Sequence, residues 1–115
     1  VALVNQQRAT NGCRPLAENS KLDKAAQGHS TDMSLRHYFD HTSPDGLDFV
    51  HRILTAGYPR PGAENIAKGT NTAQATMRLW MNSPPHRANI LDCDLTTIGV
   101  GVATSGWYWT QDFGR

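Results

Sequence analysis

The chain has 115 residues, 38% of them apolar and 18% charged, with a formal net charge of +1. That is the size and composition of one soluble globular domain, residues 1–115, able to bury roughly two-thirds of the surface its unfolded form exposes. The 11 basic residues stand singly, which removes the electrostatic case for nucleic acid or an anionic membrane as partner. No apolar run nears the roughly 20 residues a transmembrane helix needs. Val1 opens directly in an amphipathic pattern without a basic leader, and so reads as the start of a mature, trimmed domain.

Residues 3–10 carry good helix formers, Gln6 to Ala9, and stop at Asn11-Gly12. Asn19 or Ser20 caps a longer helix, in which Leu22, Ala25, Ala26, His29 and Met33 follow the spacing of one buried face; it runs to about His37. Thr42 to Gly46 is a turn, with Pro44 presetting φ. Phe49, Ile53 and Leu54 mark a short helix ended by Gly57, and residues 58–62, with two prolines, form a rigid extended linker. Residues 63–67 are mixed in character and read as a candidate strand. A helix over 72–82 buries Ala75 and Leu79, with Trp80 beside them, and Pro84-Pro85 breaks it. A last short helix covers 86–91, with Pro85 acceptable in its first turn. Beyond it, Ile98, Val100 and Val102 alternate with Gly99, Gly101 and Ala103, and Trp107 to Phe113 follow Ser105-Gly106, the pattern of a β-hairpin. Glycines inside a strand imply that another element packs close against that face. The order defines an α+β fold in which helices cover an antiparallel sheet.

Cys13 and Cys93 are either one disulfide or two reduced core thiols. Neither has a Cys or His neighbour at metal-site spacing, which favours the bridge. It would close a loop of about 80 residues and contribute about 4–5 kcal/mol by the chain-entropy estimate.

Among the five histidines, His29 lies on an apolar helix face and reads as a core histidine with one hydrogen bond. His51, beside Arg52, reads as solvated. His37 and His41 are four apart, but the zinc-protease motif places Glu directly after its first histidine and Tyr38 stands there. Ser43 and Ser83 each precede proline, outside any nucleophile elbow, and read as turn or cap residues.

More specific are three strings in order: His41-Thr42-Ser43-Pro44-Asp45-Gly46, Gly62-Ala63-Glu64-Asn65-Ile66-Ala67, and Trp80 to Leu91 with Ser83-Pro84-Pro85-His86-Arg87-Ala88-Asn89-Ile90. With Val4-Asn5-Gln6-Gln7-Arg8, Ile98-Gly99-Val100-Gly101 and Trp109-Thr110-Gln111-Asp112-Phe113-Gly114, they make the chain resemble the bacterial branch of the CAP superfamily over nearly its whole length. The resemblance implies a three-layer α-β-α sandwich with a central antiparallel sheet and a cleft on one side. Its eukaryotic relatives face that cleft with two histidines and two glutamates, and the histidines can bind a divalent metal. Carried over, His41 and His86 correspond to the histidines and Glu64 to the first glutamate, although Ala63 interrupts the usual Gly-Glu-Asn. Ser83 stands where relatives often carry the second glutamate, as the bacterial branch commonly does.

With one carboxylate missing, the expectation is weak, exchangeable binding of a divalent metal, zinc first, by His41 and His86. A plainer reading makes His41, Glu64 and His86 a polar network that bridges helices to sheet. The leading functional expectation is a secreted or envelope-located binding module that takes the metal and engages a small apolar or lipid-like ligand, or an envelope partner. Two alternatives remain: a metal-assisted hydrolase with Glu64 as general base, and a purely structural or signalling module.

Overall fold

The computed structural model describes residues 1–115 and contains five helices and four strands. In chain order they are α1 (Ala2–Thr10), β1 (Ala17–Glu18), α2 (Ser20–Arg36), α3 (Phe49–Thr55), β2 (Pro61–Lys68), α4 (Ala73–Met81), α5 (Pro84–Ile90), β3 (Thr97–Ala103) and β4 (Tyr108–Gly114). The strands form one sheet in the order β1-β3-β4-β2. Its body, β3-β4-β2, is antiparallel. The two-residue β1 joins β3 in parallel through Ala17 and Glu18, a strand too short to leave a pattern in the sequence.

Side chains alternate across the sheet and sort the helices into two layers. On one face, Ile98, Ala67 and Phe113 pack with Val4 of α1, Met77 and Trp80 of α4 and Ile90 of α5, forming the main core. On the other lies α2, with α3 beside it, where Leu22, Ala25, Ile53 and Tyr58 cluster. The Asn19 side chain caps α2 by accepting from the N–H groups of Lys21 and Leu22. His37, in the left-handed region at φ 56°, ends it. That exit takes His41 off the helix, so His37 and His41 share no helical face.

Gly99 and Gly101 are what let α2 lie on β3. A Cβ at Gly99 would overlap the backbone of Leu22 and Asp23, and one at Gly101 the backbone of Ala26 and Gln27. At this close approach α2 also completes the open side of β3. Asp23 Oδ1 accepts from Val100 N–H (2.9 Å), while the Gln27 amide accepts from Val102 N–H (3.1 Å) and donates to Val102 O (3.0 Å). At the other edge, β2 has a strand neighbour on one side only. Two of its carbonyls accept from side chains instead, Glu64 O from Asn89 (3.3 Å) and Ile66 O from the Trp80 indole (3.0 Å).

That indole bond corrects the expected face of α4. Trp80 is buried and sets the helix phase, so Thr76 and Met77 share its inward face. Leu79, expected inside, is 50% exposed, and Ala75 is only half-buried. Two boundaries also move. Pro84 and Pro85 fill the first two positions of α5, where a missing N–H costs nothing, so the helix begins at Pro84 rather than His86. The linker is shorter than expected because β2 starts at Pro61, a strand-initial position proline tolerates, with a bulge between Pro61 and Ala63.

Cys13 and Cys93 form a disulfide with a Cα–Cα separation of 5.0 Å. Beside it, Arg8 is fully buried. Its guanidinium donates to the carbonyls of Arg14 (2.9 Å), Ile90 (2.9 Å), Asp92 (2.8 Å) and Leu95 (3.1 Å). Bridge and arginine together fasten α1 to the segment between α5 and β3.

Candidate functional site

Because β2 is an edge strand, side chains from both helical layers reach around it. Glu64 points to the α2/α3 face, and its side chain has no exposed surface. His41, in the loop after α2, reaches it from outside: its Nδ1 lies 2.9 Å from Glu64 Oε1, with the His41 side chain 48% exposed. A carboxylate only accepts, so Nδ1 carries the hydrogen, and in the neutral ring Nε2 is the bare nitrogen.

Arg52 of α3 holds this pair. It donates to both Glu64 oxygens, at 2.8 and 2.7 Å, and to the carbonyls of His41 (2.8 Å) and Leu47 (3.0 Å). One guanidinium therefore fixes the carboxylate and the loop that carries His41. Sequence reasoning missed this residue, because a single arginine on a short helix looks solvated. The demand for a counter-charge arises from the burial of Glu64, which only the structure reveals.

His29 lies behind the pair. Its Nε2–H donates to Asp40 O at 2.8 Å and sits 4.0 Å from Glu64 Oε1. Burial holds its imidazole below the usual histidine range despite the nearby Glu64 charge. Burial pushes Glu64 up, but the hydrogen bond from His41 and the charge and bonds of Arg52 outweigh it, so the carboxyl sits below its ordinary value.

His86 enters from α5, in the opposite layer. Ser83, at the N-cap of α5, gives its helix no side-chain cap; its Oγ lies 2.8 Å from His86 Nδ1 instead. Burial, and then the charge of His41, hold His86 below the usual histidine range. Asn65, pointing to this layer, donates to His86 O (3.1 Å) and accepts from Asn89 (2.9 Å), fixing the first turn of α5 on β2.

The structure thus joins His41 to Glu64 and His86 to Ser83. No cluster of three or more His, Cys, Asp or Glu side chains has metal-holding geometry. Phe39, Ile66, Leu79 and Trp80 line an apolar groove of about 340 Å³ that ends at Ser83 and His86. A second cavity, about 150 Å³, lies between α1, α4 and the sheet, walled by Val1, Leu3, Met77, Trp80, Val100 and Trp109.

Helical layers on both faces of a small sheet, with a histidine–carboxylate pair and a second histidine at its edge strand, define a domain of the SCP type. The model of the Cysteine-rich secretory protein family, CAP, matches residues 1–113, and the chain belongs to that family. It is 44% identical over 115 residues to the uncharacterized protein YkwD of Bacillus subtilis (strain 168), covering 98% of this chain and 44% of that protein. The crystal structure of an extracellular protein containing an SCP domain from Bacillus anthracis superposes with a TM-score of 0.93 at 34% identity, covering 98% of this chain and 38% of that one. An outer surface protein from Borrelia burgdorferi shares the fold at a TM-score of 0.88 and 20% identity, over 99% of this chain and 87% of that one. The chain spans less than half the length of the curated Bacillus relatives it matches.

Proposed function

We propose that this domain is a non-enzymatic binding module that works outside the cell or at its envelope, and that His41 and His86 take a divalent cation, zinc first. The observation that carries the reading is the state of the ring nitrogens. Each Nδ1 is held, by Glu64 and by Ser83, and each Nε2 is without a hydrogen-bond partner. Pairing one ring nitrogen with an oxygen partner orients the other for a metal. Two imidazoles fit zinc chemically, and the lack of a third protein ligand points to weak, exchangeable binding. When bound, the cation would supply a Lewis-acidic point at the cleft that recognises an anionic or carbonyl group of a partner.

The hydrolase alternative needs Glu64 as a free general base. Glu64 has both oxygens on Arg52 and one on His41, no exposed surface, and a lowered proton affinity. That is the environment of a structural carboxylate rather than a proton acceptor. The cavity under α1 and α4 supports the apolar or lipid-like ligand, being walled mainly by hydrophobic side chains. The disulfide supports an oxidising compartment, as does the description of the Bacillus anthracis relative as extracellular.

Zinc titration calorimetry on the wild type, His41→Ala and His86→Ala tests the metal reading at about pH 7.5 and about pH 5.5. Saturable binding that each substitution abolishes, and that weakens in acid, is the expected result. No heat at millimolar zinc would overturn it and leave the cluster a structural network.

A further inference from the structure

Asp112 lies in β4, directly opposite Glu64 on β2 and opposite Gly99 on β3. It is fully buried, on the same face as Glu64 and beneath α2. No N–H or O–H donor meets either of its carboxyl oxygens. Its nearest carboxyl is that of Glu64, the residue paired with it across β2 and β4, whose side chain is buried on the same face. The other charged or titratable groups at hand make no bond to it. Arg52, from α3, has its terminal nitrogens on Glu64, His41 O and Leu47 O, while its buried Nε–H is without a partner and makes no bond to Asp112. His29, from α2, has Nε2 on Asp40 O. Gly99 offers no side chain.

Two buried carboxyls side by side cannot both be ionised, and one proton between them turns repulsion into a hydrogen bond. Which of the two holds it follows from their remaining partners. Glu64 receives two bonds from Arg52 and one from His41, all of which favour its charged form. Asp112 receives none.

We propose that Asp112 is a neutral carboxylic acid that donates its proton to Glu64, and that it is a positioning residue for the cleft. Its O–H fixes the Glu64 carboxylate against His41 Nδ1–H, which leaves His41 Nε2 as the nitrogen presented outward. A three-member chain, Asp112 to Glu64 to His41, thus runs from the centre of the sheet to the surface. Burial and the Glu64 charge hold Asp112 well above the usual carboxylate range, with only Arg52 opposing them. The inference deepens the reading of His41 as a metal ligand, but its test needs no metal, so the two can fail separately.

The test is a carbon-detected NMR titration of the side-chain carboxyls in the metal-free protein, with Asp112 assigned from its loss in Asp112→Asn. A protonated Asp112 signal at neutral pH, beside an ionised Glu64, is expected. Asp112 titrating in the ordinary carboxylate range would overturn the proposal. Nitrogen-15 shifts of His41 read the positioning role: Asp112→Asn, which keeps a donor, retains the Nδ1–H form, whereas Asp112→Val loses it. An unchanged tautomer in folded Asp112→Val would also overturn it. Should the valine variant not fold, Asp112→Ala replaces it in the same measurement, and an unchanged tautomer there would overturn the positioning role. A neutral acid in the folded state binds a proton that the unfolded chain has released above about pH 4. Wild-type stability therefore declines relative to Asp112→Asn, by up to about tenfold in the folding constant per pH unit above that point. Parallel profiles for the two proteins would refute the neutral acid.

Discussion

Replacing Arg8 by methionine tests how the N-terminal helix is held. The side chain is buried, and its guanidinium makes four hydrogen bonds to main-chain carbonyls on two separate stretches of chain, at Arg14 and within 90–95. Hydrogen bonds from a charged donor contribute about 1.5–3 kcal/mol each, so simple addition gives roughly 6–12 kcal/mol. Methionine fills a similar volume and removes the several-kcal/mol cost of keeping a guanidinium out of water, which offsets part of the loss. The carbonyls of Ile90 and Leu95 are left buried without a donor. The balance is a destabilisation of about 3–5 kcal/mol, the range for breaking one side of a buried ionic arrangement. Arg8→Lys, with three donors on one nitrogen, should recover part of it. Urea unfolding at neutral pH with the disulfide intact measures the loss from the midpoint at constant slope. Because Cys13–Cys93 fastens the same two segments, the Arg8 and disulfide losses should combine less than additively. A loss below about 1 kcal/mol for Arg8→Met would refute the idea that these bonds, rather than the surrounding apolar packing, hold α1 in place.

Other perturbations probe the sheet, the cleft and the acid response. Gly99→Ala should unfold the domain or cost more than about 3 kcal/mol, because the new Cβ meets the α2 backbone. Gly28→Ala, with open space around it in the same helix, should stabilise by about 0.5–1 kcal/mol; thermal melts separate the two. Ser83→Ala removes the partner of His86 Nδ1 and should weaken zinc binding by about tenfold in calorimetry, whereas Ser83→Glu should strengthen it. His29 is held neutral by burial. The unfolded chain therefore binds a proton that the folded one refuses, and stability present above about pH 6.5 is lost as the pH falls. Urea midpoints should show a shallower decline in His29→Gln over that interval, and an identical slope would sink this assignment.

Much of the architecture was legible because apolar spacing and glycine placement report directly on packing. Gly99 and Gly101 announced a close neighbour on β3, and the close neighbour is α2. The first and last turns of α2 were likewise marked, by Asn19 and by the run to His37. The phase of α4 was misread because Leu79 outranks Thr76 in hydrophobicity, yet the Trp80 indole needs the Ile66 carbonyl and turns Leu79 outward. At the cleft, residue types in short strings marked His41, Glu64 and His86. The roles of the buried polar residues were not legible, even where Arg8 and Asp112 stood inside such strings. Arg8, Arg52 and Asp112 are polar residues in amphipathic elements, where the expected environment is water. Burial of a charged side chain depends on partners distant in sequence, and one chain read alone has no periodicity that records them.

The sheet's borders bear on how this domain behaves in company. A free strand edge invites any extended polypeptide to dock on it and propagate, the first step towards fibrils and swapped dimers. Here Asp23 and Gln27 occupy β3 beyond its short parallel neighbour, while Asn89 and Trp80 take two carbonyls of β2. An incoming backbone meets interrupted ladders on both sides. The domain can therefore keep the His41–Glu64 pair accessible at the rim of its sheet while giving misfolded neighbours little to template upon.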